Sequence, residues 1–209
     1  MNRILCAALA AGVAAVAATA RAQAPTTTST QVTTMRAAAP APAASSGFRA
    51  EYVAEIDDVG KKLVDLAQAM PADKYSWRPA PGVRSVGEVY VHIVNGNSTL
   101  PSFLGAPRMD GVSRDSEKTV TDKAKIVELL RKSIDNVKAA AGGVTDVDLT
   151  KKVKTFGDRE MTERQVLFRI LNHMHEHLGQ SIAYARANGV VPPWTARAQE
   201  AAAKKKAGS

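Results

Sequence analysis

The side chains able to do chemistry here are few and closely spaced. The chain's histidines are His92, His173, His175 and His177, and no others. On a helix, His173 and His177 stand at i and i+4, so they project side by side from one face. That spacing lets two imidazoles reach one metal ion. His175 lies about 200° around the helix axis from the residue two before it, which predicts a surface or interface position. Burying imidazoles without partners costs about 1–3 kcal/mol for each unsatisfied group. A shared divalent ion removes that cost, and His92 supplies a third ligand from a second segment. Three histidines with an open fourth position make a catalytic type of site, not a closed structural one. The competing reading is of ordinary histidines with hydrogen-bonded partners, but a pair on an apolar seam joined by a third inward histidine favours metal.

Three neutral imidazoles leave the full charge on the ion, which then favours hydroxide, thiolate or carboxylate in the open position. Gln180 is a candidate for orienting the bound group or a ligand. Glu176, beside the seam, is a candidate base whose alternative is a solvated helix-face carboxylate. Asn95, one turn beyond His92, is a weaker candidate for a supporting role. Three imidazoles suit zinc, nickel, iron and manganese alike.

Four helical segments must position these groups. Over residues 50–70, Tyr52, Ile56, Val59, Leu63, Leu66 and Met70 recur at three and four, one apolar stripe that Pro71 ends. Residues 74–83 hold Pro79, Pro81 and Gly82 and read as a loop. Ser85 and Glu88 then fit a capping box, and Val89, His92, Ile93, Gly96 and Leu100 continue an inward stripe. Residues 110–119 are polar and loop-like. Asp122 caps a third helix carrying Ile126, Leu129, Leu130, Ile134 and Val137, which ends at Gly142 and Gly143. Residues 144–156 read as a surface connection with a short extended piece at 153–155. Thr162 and Gln165 form a second capping box. The helix they open runs to about residue 187, with Val166, Ile170, His173, His177, Gln180 and Tyr184 on a heptad seam. Amphipathic helices without a strong strand signal predict an all-α four-helix bundle over residues 47–194.

Composition narrows the functions further. A single cysteine, Cys6, in 209 residues excludes a disulfide scaffold, a thiolate zinc site and an iron–sulfur cluster. His175 and Glu176 do not open an HExxH motif, because Gly179 stands where its second histidine belongs. No P-loop, GxGxxG or G-x-S-x-G is present.

Residues 1–22 read as a secretory signal peptide: Arg3 precedes an uncharged, Ala-rich run, and small residues bracket a cut after Ala22. The alternative is an uncleaved anchor, for which the run is slightly short. Cleavage removes Cys6 and leaves no stable membrane insertion, so the mature protein is expected to be periplasmic or secreted. Residues 23–46 are a low-complexity linker, and 195–209 a basic, flexible tail. The net charge of +8 comes mostly from these ends. They carry seven of the 28 basic side chains and one of the 20 acidic ones, leaving +2 over residues 47–196. No nucleic-acid partner is therefore expected, and a small-molecule substrate is. A basic adaptor working through its tail is the rival class.

The stretch His173-x-x-x-His177-x-Gly179-Gln180, with Trp77-Arg78-Pro79 and a histidine seven residues after Ser85, resembles the DinB/YfiT-like superfamily of metal-binding four-helix bundles. The resemblance spans about residues 48–194. It implies metal ligands at His92, His173 and His177, a divalent ion such as zinc or nickel, and possible homodimers. Some relatives are thiol-dependent transferases or isomerases. The combined expectation is an exported protein that activates water or a thiol for hydrolysis or transfer on a small substrate. A non-catalytic metal-binding bundle is the alternative.

Overall fold

Helix α1 spans Phe48–Ala69, and its stripe of Tyr52, Ile56, Val59, Leu63 and Leu66 is buried, with Met70 just beyond the helix end. These residues begin the part of the chain that this computed structural model describes, residues 47–208. The expected signal peptide and linker lie outside the described residues.

Helix α2 spans Val86–Thr99 and starts at the expected capping box. The Glu88 amide donates to Ser85 Oγ at 3.3 Å, and the Ser85 amide donates to Glu88 Oε2 at 2.7 Å. Two orphan amides of the first turn are thereby satisfied. The preceding loop is pinned to it: the Val86 amide donates to the Trp77 carbonyl and the Gly87 amide to that of Tyr75. Arg78 donates to the Val83 carbonyl at 2.7 Å and pairs with Glu88 at 3.1 Å.

Helix α3 is one turn, Ser116–Thr119, inside the polar stretch read as a loop. Helix α4, Lys123–Gly142, is capped by Asp122, whose Oδ1 accepts from the Lys125 amide at 2.7 Å. Its residues Ile126, Leu129, Leu130, Ile134 and Val137 are all buried. Strands β1, Lys152–Lys154, and β2, Glu160–Thr162, form a small antiparallel hairpin in which Val153 faces Met161. Helix α5, Glu163–Ala187, opens at the second capping box, with Thr162 and Gln165 exchanging hydrogen bonds at 2.8 and 3.2 Å.

The four long helices form the bundle. Helix α1 packs on α4 and α5, and α2 packs on the same two, so α1 and α2 are diagonal. This order makes α2 and α5 neighbours, and the histidines are on those two helices. A polar link ties α2 to α4: Asn97 Nδ2 donates to Ser133 Oγ at 3.1 Å, and Asn136 Nδ2 to the Asn97 carbonyl at 2.9 Å.

The C-terminal end differs from expectation. In place of a flexible tail, Pro193–Ala207 form helix α6, none of whose residues is buried. Ala and Lys are strong intrinsic helix formers, and helicity of this kind leaves no apolar stripe to read. Arg197 reaches Asp65 on α1 at 3.5 Å. Among the described residues, no helix is long and apolar enough to cross a membrane.

Candidate metal centre

Three of the four histidines meet between α2 and α5. One nitrogen from each of His92, His173 and His177 lies within 4.8 Å of the other two. The ring centroids are 5.1 Å apart for His92 and His173, 4.7 Å for His92 and His177, and 4.6 Å for His173 and His177. His175 is exposed on the far side, its Nδ1 3.1 Å from the Leu171 carbonyl one turn back.

The hydrogen bonds determine which nitrogen of two rings faces inward. His92 Nδ1 donates to Glu117 Oε1 at 2.7 Å, leaving Nε2 as an acceptor turned inward, 3.2 Å from His173 Nε2. His177 Nδ1 donates to Gln180 Oε1 at 2.8 Å, likewise leaving its Nε2 as an acceptor. The Gln180 amide has one consistent orientation. Its Nε2 donates to the Tyr184 hydroxyl at 3.1 Å, which donates in turn to the Arg84 carbonyl at 3.2 Å. Every donor in that run has an acceptor, and the run ends on backbone. Gln180 therefore faces His177. Glu176 is exposed on the wall of the adjoining cleft.

Glu117 and Tyr184 carry roles that sequence reasoning missed. Glu117, on the one-turn helix α3, also accepts from Arg84 Nε at 2.8 Å. Burial pushes its carboxyl up, but the hydrogen bonds and charges of Arg84 and His92 outweigh burial and hold it below the ordinary carboxylate range. Asn95 Nδ2 reaches Glu117 Oε1, the acceptor of His92, only at 3.5 Å. A glutamate 25 residues from His92 in a polar stretch has no periodicity or motif to mark it. Tyr184 was visible as a seam residue, but its hydroxyl partner was not.

Two of the three imidazoles, His173 and His177, are held toward the neutral form. Burial, then the neighbouring His177, His92, Arg84 and Arg169, push His173 down to about 3. Burial also lowers His177, against the opposing hydrogen bond to Gln180. Neutral imidazoles are the form that binds metal.

The residues fit a metal ion. His92 Nε2 and His173 Nε2 are 3.2 Å apart. Two nitrogens each about 2.0–2.1 Å from one tetrahedral ion stand about 3.3 Å from one another. Both histidines also line a cleft of about 1790 Å³ that opens to solvent, while His177 is buried at 8% exposure. The three-histidine group could hold a metal ion, and the arrangement does not select which.

Solved structures of a DinB-like protein from Bacillus cereus ATCC 10987 and of another from Bacillus subtilis superpose with TM-scores of 0.58 and 0.54. They are 24% and 21% identical in sequence, and each match covers 68% of this chain and 93% of the other. A conserved protein from Enterococcus faecalis gives a TM-score of 0.55 at 14% identity, covering 66% of this chain and 95% of its own. These likenesses show the shared fold. No curated protein matches the chain. The model of the DinB superfamily matches residues 55–181, which include all three clustered histidines and most of the bundle, and the chain belongs to that superfamily.

Proposed function

We propose that this chain is an exported protein that holds one divalent ion through His92, His173 and His177. It acts on a small molecule by hydrolysis or group transfer, with water or a thiol as nucleophile. The observation that carries this reading is the convergence of three imidazole nitrogens within 4.8 Å beside a solvent-open cleft. When bound, the ion supplies the Lewis acidity that ionises water or a thiol near neutral pH.

The chain's own residues prepare the site. Glu117 holds the Nδ1 proton of His92, and Gln180 holds that of His177, so the Nε2 lone pairs stay turned inward. Partners of this kind fix the tautomer and raise ligand basicity. Tyr184 and Arg84 hold Gln180 and Glu117 in turn. Zinc and nickel suit three imidazoles, as iron and manganese do. The Ala-rich leader supports export, and fractionation of cells expressing the full chain tests it.

Elemental analysis of the chain, purified without chelator and reloaded, tests the site. Close to one divalent ion per chain is expected, with loss of that ion in His177→Ala. A chain that retains no ion after reloading overturns the assignment. Turnover of hydrolysis or thiol-conjugation substrates that disappears in His177→Ala supports an enzyme. A tightly held ion without turnover supports a non-catalytic bundle.

A further inference from the structure

The cleft beside the histidines has an unbalanced charge. Three of its carboxylates are already paired: Glu88 with Arg78, Glu117 with Arg84, and Glu160 with Lys152. Of the lining acids, Glu176 alone has no basic partner within ion-pair distance. Five lining cations have no carboxylate partner among the described residues: Arg108, Arg114, Lys118, Arg159 and Arg169. They come from separate parts of the chain, namely the connection after α2, helix α3, the hairpin turn and helix α5. Nothing local in the sequence gathers them. The bundle as a whole is close to neutral, so this excess is specific to the cleft.

The same walls carry exposed aromatic surface. Phe156 is 53% exposed and Phe168 44%, and both line the cleft. Each has one aromatic neighbour, Phe103 at 4.8 Å and Phe48 at 5.6 Å, and leaves further ring surface open to solvent. Large apolar side chains on a concave wall are the usual source of affinity in small-molecule sites, and a few polar groups fix orientation.

We infer that the cleft takes a small organic anion, a carboxylate or phosphate ester with an apolar body. Its charged end sits on the arginines and its apolar part on Phe156 and Phe168. Guanidinium groups match carboxylate and phosphate oxygens in paired hydrogen bonds. A concave wall with an excess of positive charge also focuses the field and raises the local concentration of an anion. This inference deepens the reading above by naming the substrate class of that site, and its test does not depend on the metal.

Calorimetric titration of the full chain, both as purified and after chelation and dialysis, tests it with three probes: phenyl phosphate, inorganic phosphate and benzyl alcohol. Phenyl phosphate is expected to bind in both preparations, about tenfold or more tighter than either of the others. The variant Arg108→Ser/Arg159→Ser alters exposed side chains that make no hydrogen bond or ion pair to the histidines and should weaken phenyl phosphate by about tenfold while its circular dichroism is unchanged. Equal binding of phenyl phosphate and benzyl alcohol, absence of phenyl phosphate binding, or an unaffected arginine variant each overturns the inference. Metal content is read in the same samples. A chain that binds the anion through its arginines but takes up no ion keeps this inference and removes the metal centre. A metal-loaded chain that ignores the anion does the reverse.

Discussion

Gly96 on α2 and His173 on α5 touch so closely that a β-carbon on Gly96 would stand 2.3 Å from the imidazole Cε1 and 2.7 Å from Nδ1. The glycine leaves room for the His173 ring to lie against α2 at the level of the cluster. It also walls in His173 Nδ1, a buried atom with no hydrogen-bond partner.

Gly96→Ala should therefore push the His173 ring out of the group. Alanine in a helix interior is intrinsically favoured over glycine by about 0.8–1 kcal/mol, so local helix stability works against any loss of fold. The expected result is metal affinity reduced by about tenfold or more in a chain that still folds. Competition with a chromophoric chelator measures it, and unchanged affinity would show that His173 is not held at this contact.

Glu117→Gln keeps the size of the side chain and removes its charge. His92 retains an acceptor for Nδ1–H, but Arg84 loses its ion pair. Changes to partners of metal-bound histidines commonly cost about 10–100-fold in metal affinity. A loss in that range is expected by the same titration, with the larger loss in Glu117→Ala. Affinity equal to that of the native chain in both variants would remove Glu117 from the site.

Acid should destabilise the metal-free chain before carboxylates begin to titrate. His173 in the fold is held down to about 3 from an ordinary 6.5, and His177 is lowered as well. Above 6.5 both states are neutral at these rings and the contribution is fully present. Between 6.5 and about 3 the unfolded chain binds a proton that the folded chain does not, so stability falls as pH falls. Urea unfolding of the metal-free chain should give a lower midpoint at pH 5.0 than at 7.5. His173→Phe should flatten that difference, and an equal slope in both chains would mean His173 titrates freely in the fold.

Removing residues 197–209 should leave the bundle intact. Helix α6 buries none of its residues, and its ion pair from Arg197 to Asp65 is between surface groups. Pairs of that kind contribute about 0–1 kcal/mol. Thermal unfolding within a few degrees of the full chain is expected. A collapse in melting temperature would assign α6 a packing role that its exposure does not indicate.

Local periodicity was enough to predict the helices that hold the site. The stripes of α1 and α4 are buried residue for residue, and both capping boxes open the helices they predict. The spacing of His173 and His177 also placed those two rings on one face, since i and i+4 are neighbours on any helix. Side-chain period and end-capping are properties of adjacent residues, so one sequence suffices to read them. The rest depended on packing. Glu117 meets His92 across 25 residues, and His92 meets His173 across 81. Helix α6 has propensity without an apolar face, which leaves periodicity nothing to detect. The glycine that admits the His173 ring and the gathering of arginines from separate segments into one cleft were decided by which helices lie side by side. Only the folded chain brings such distant residues within reach of each other.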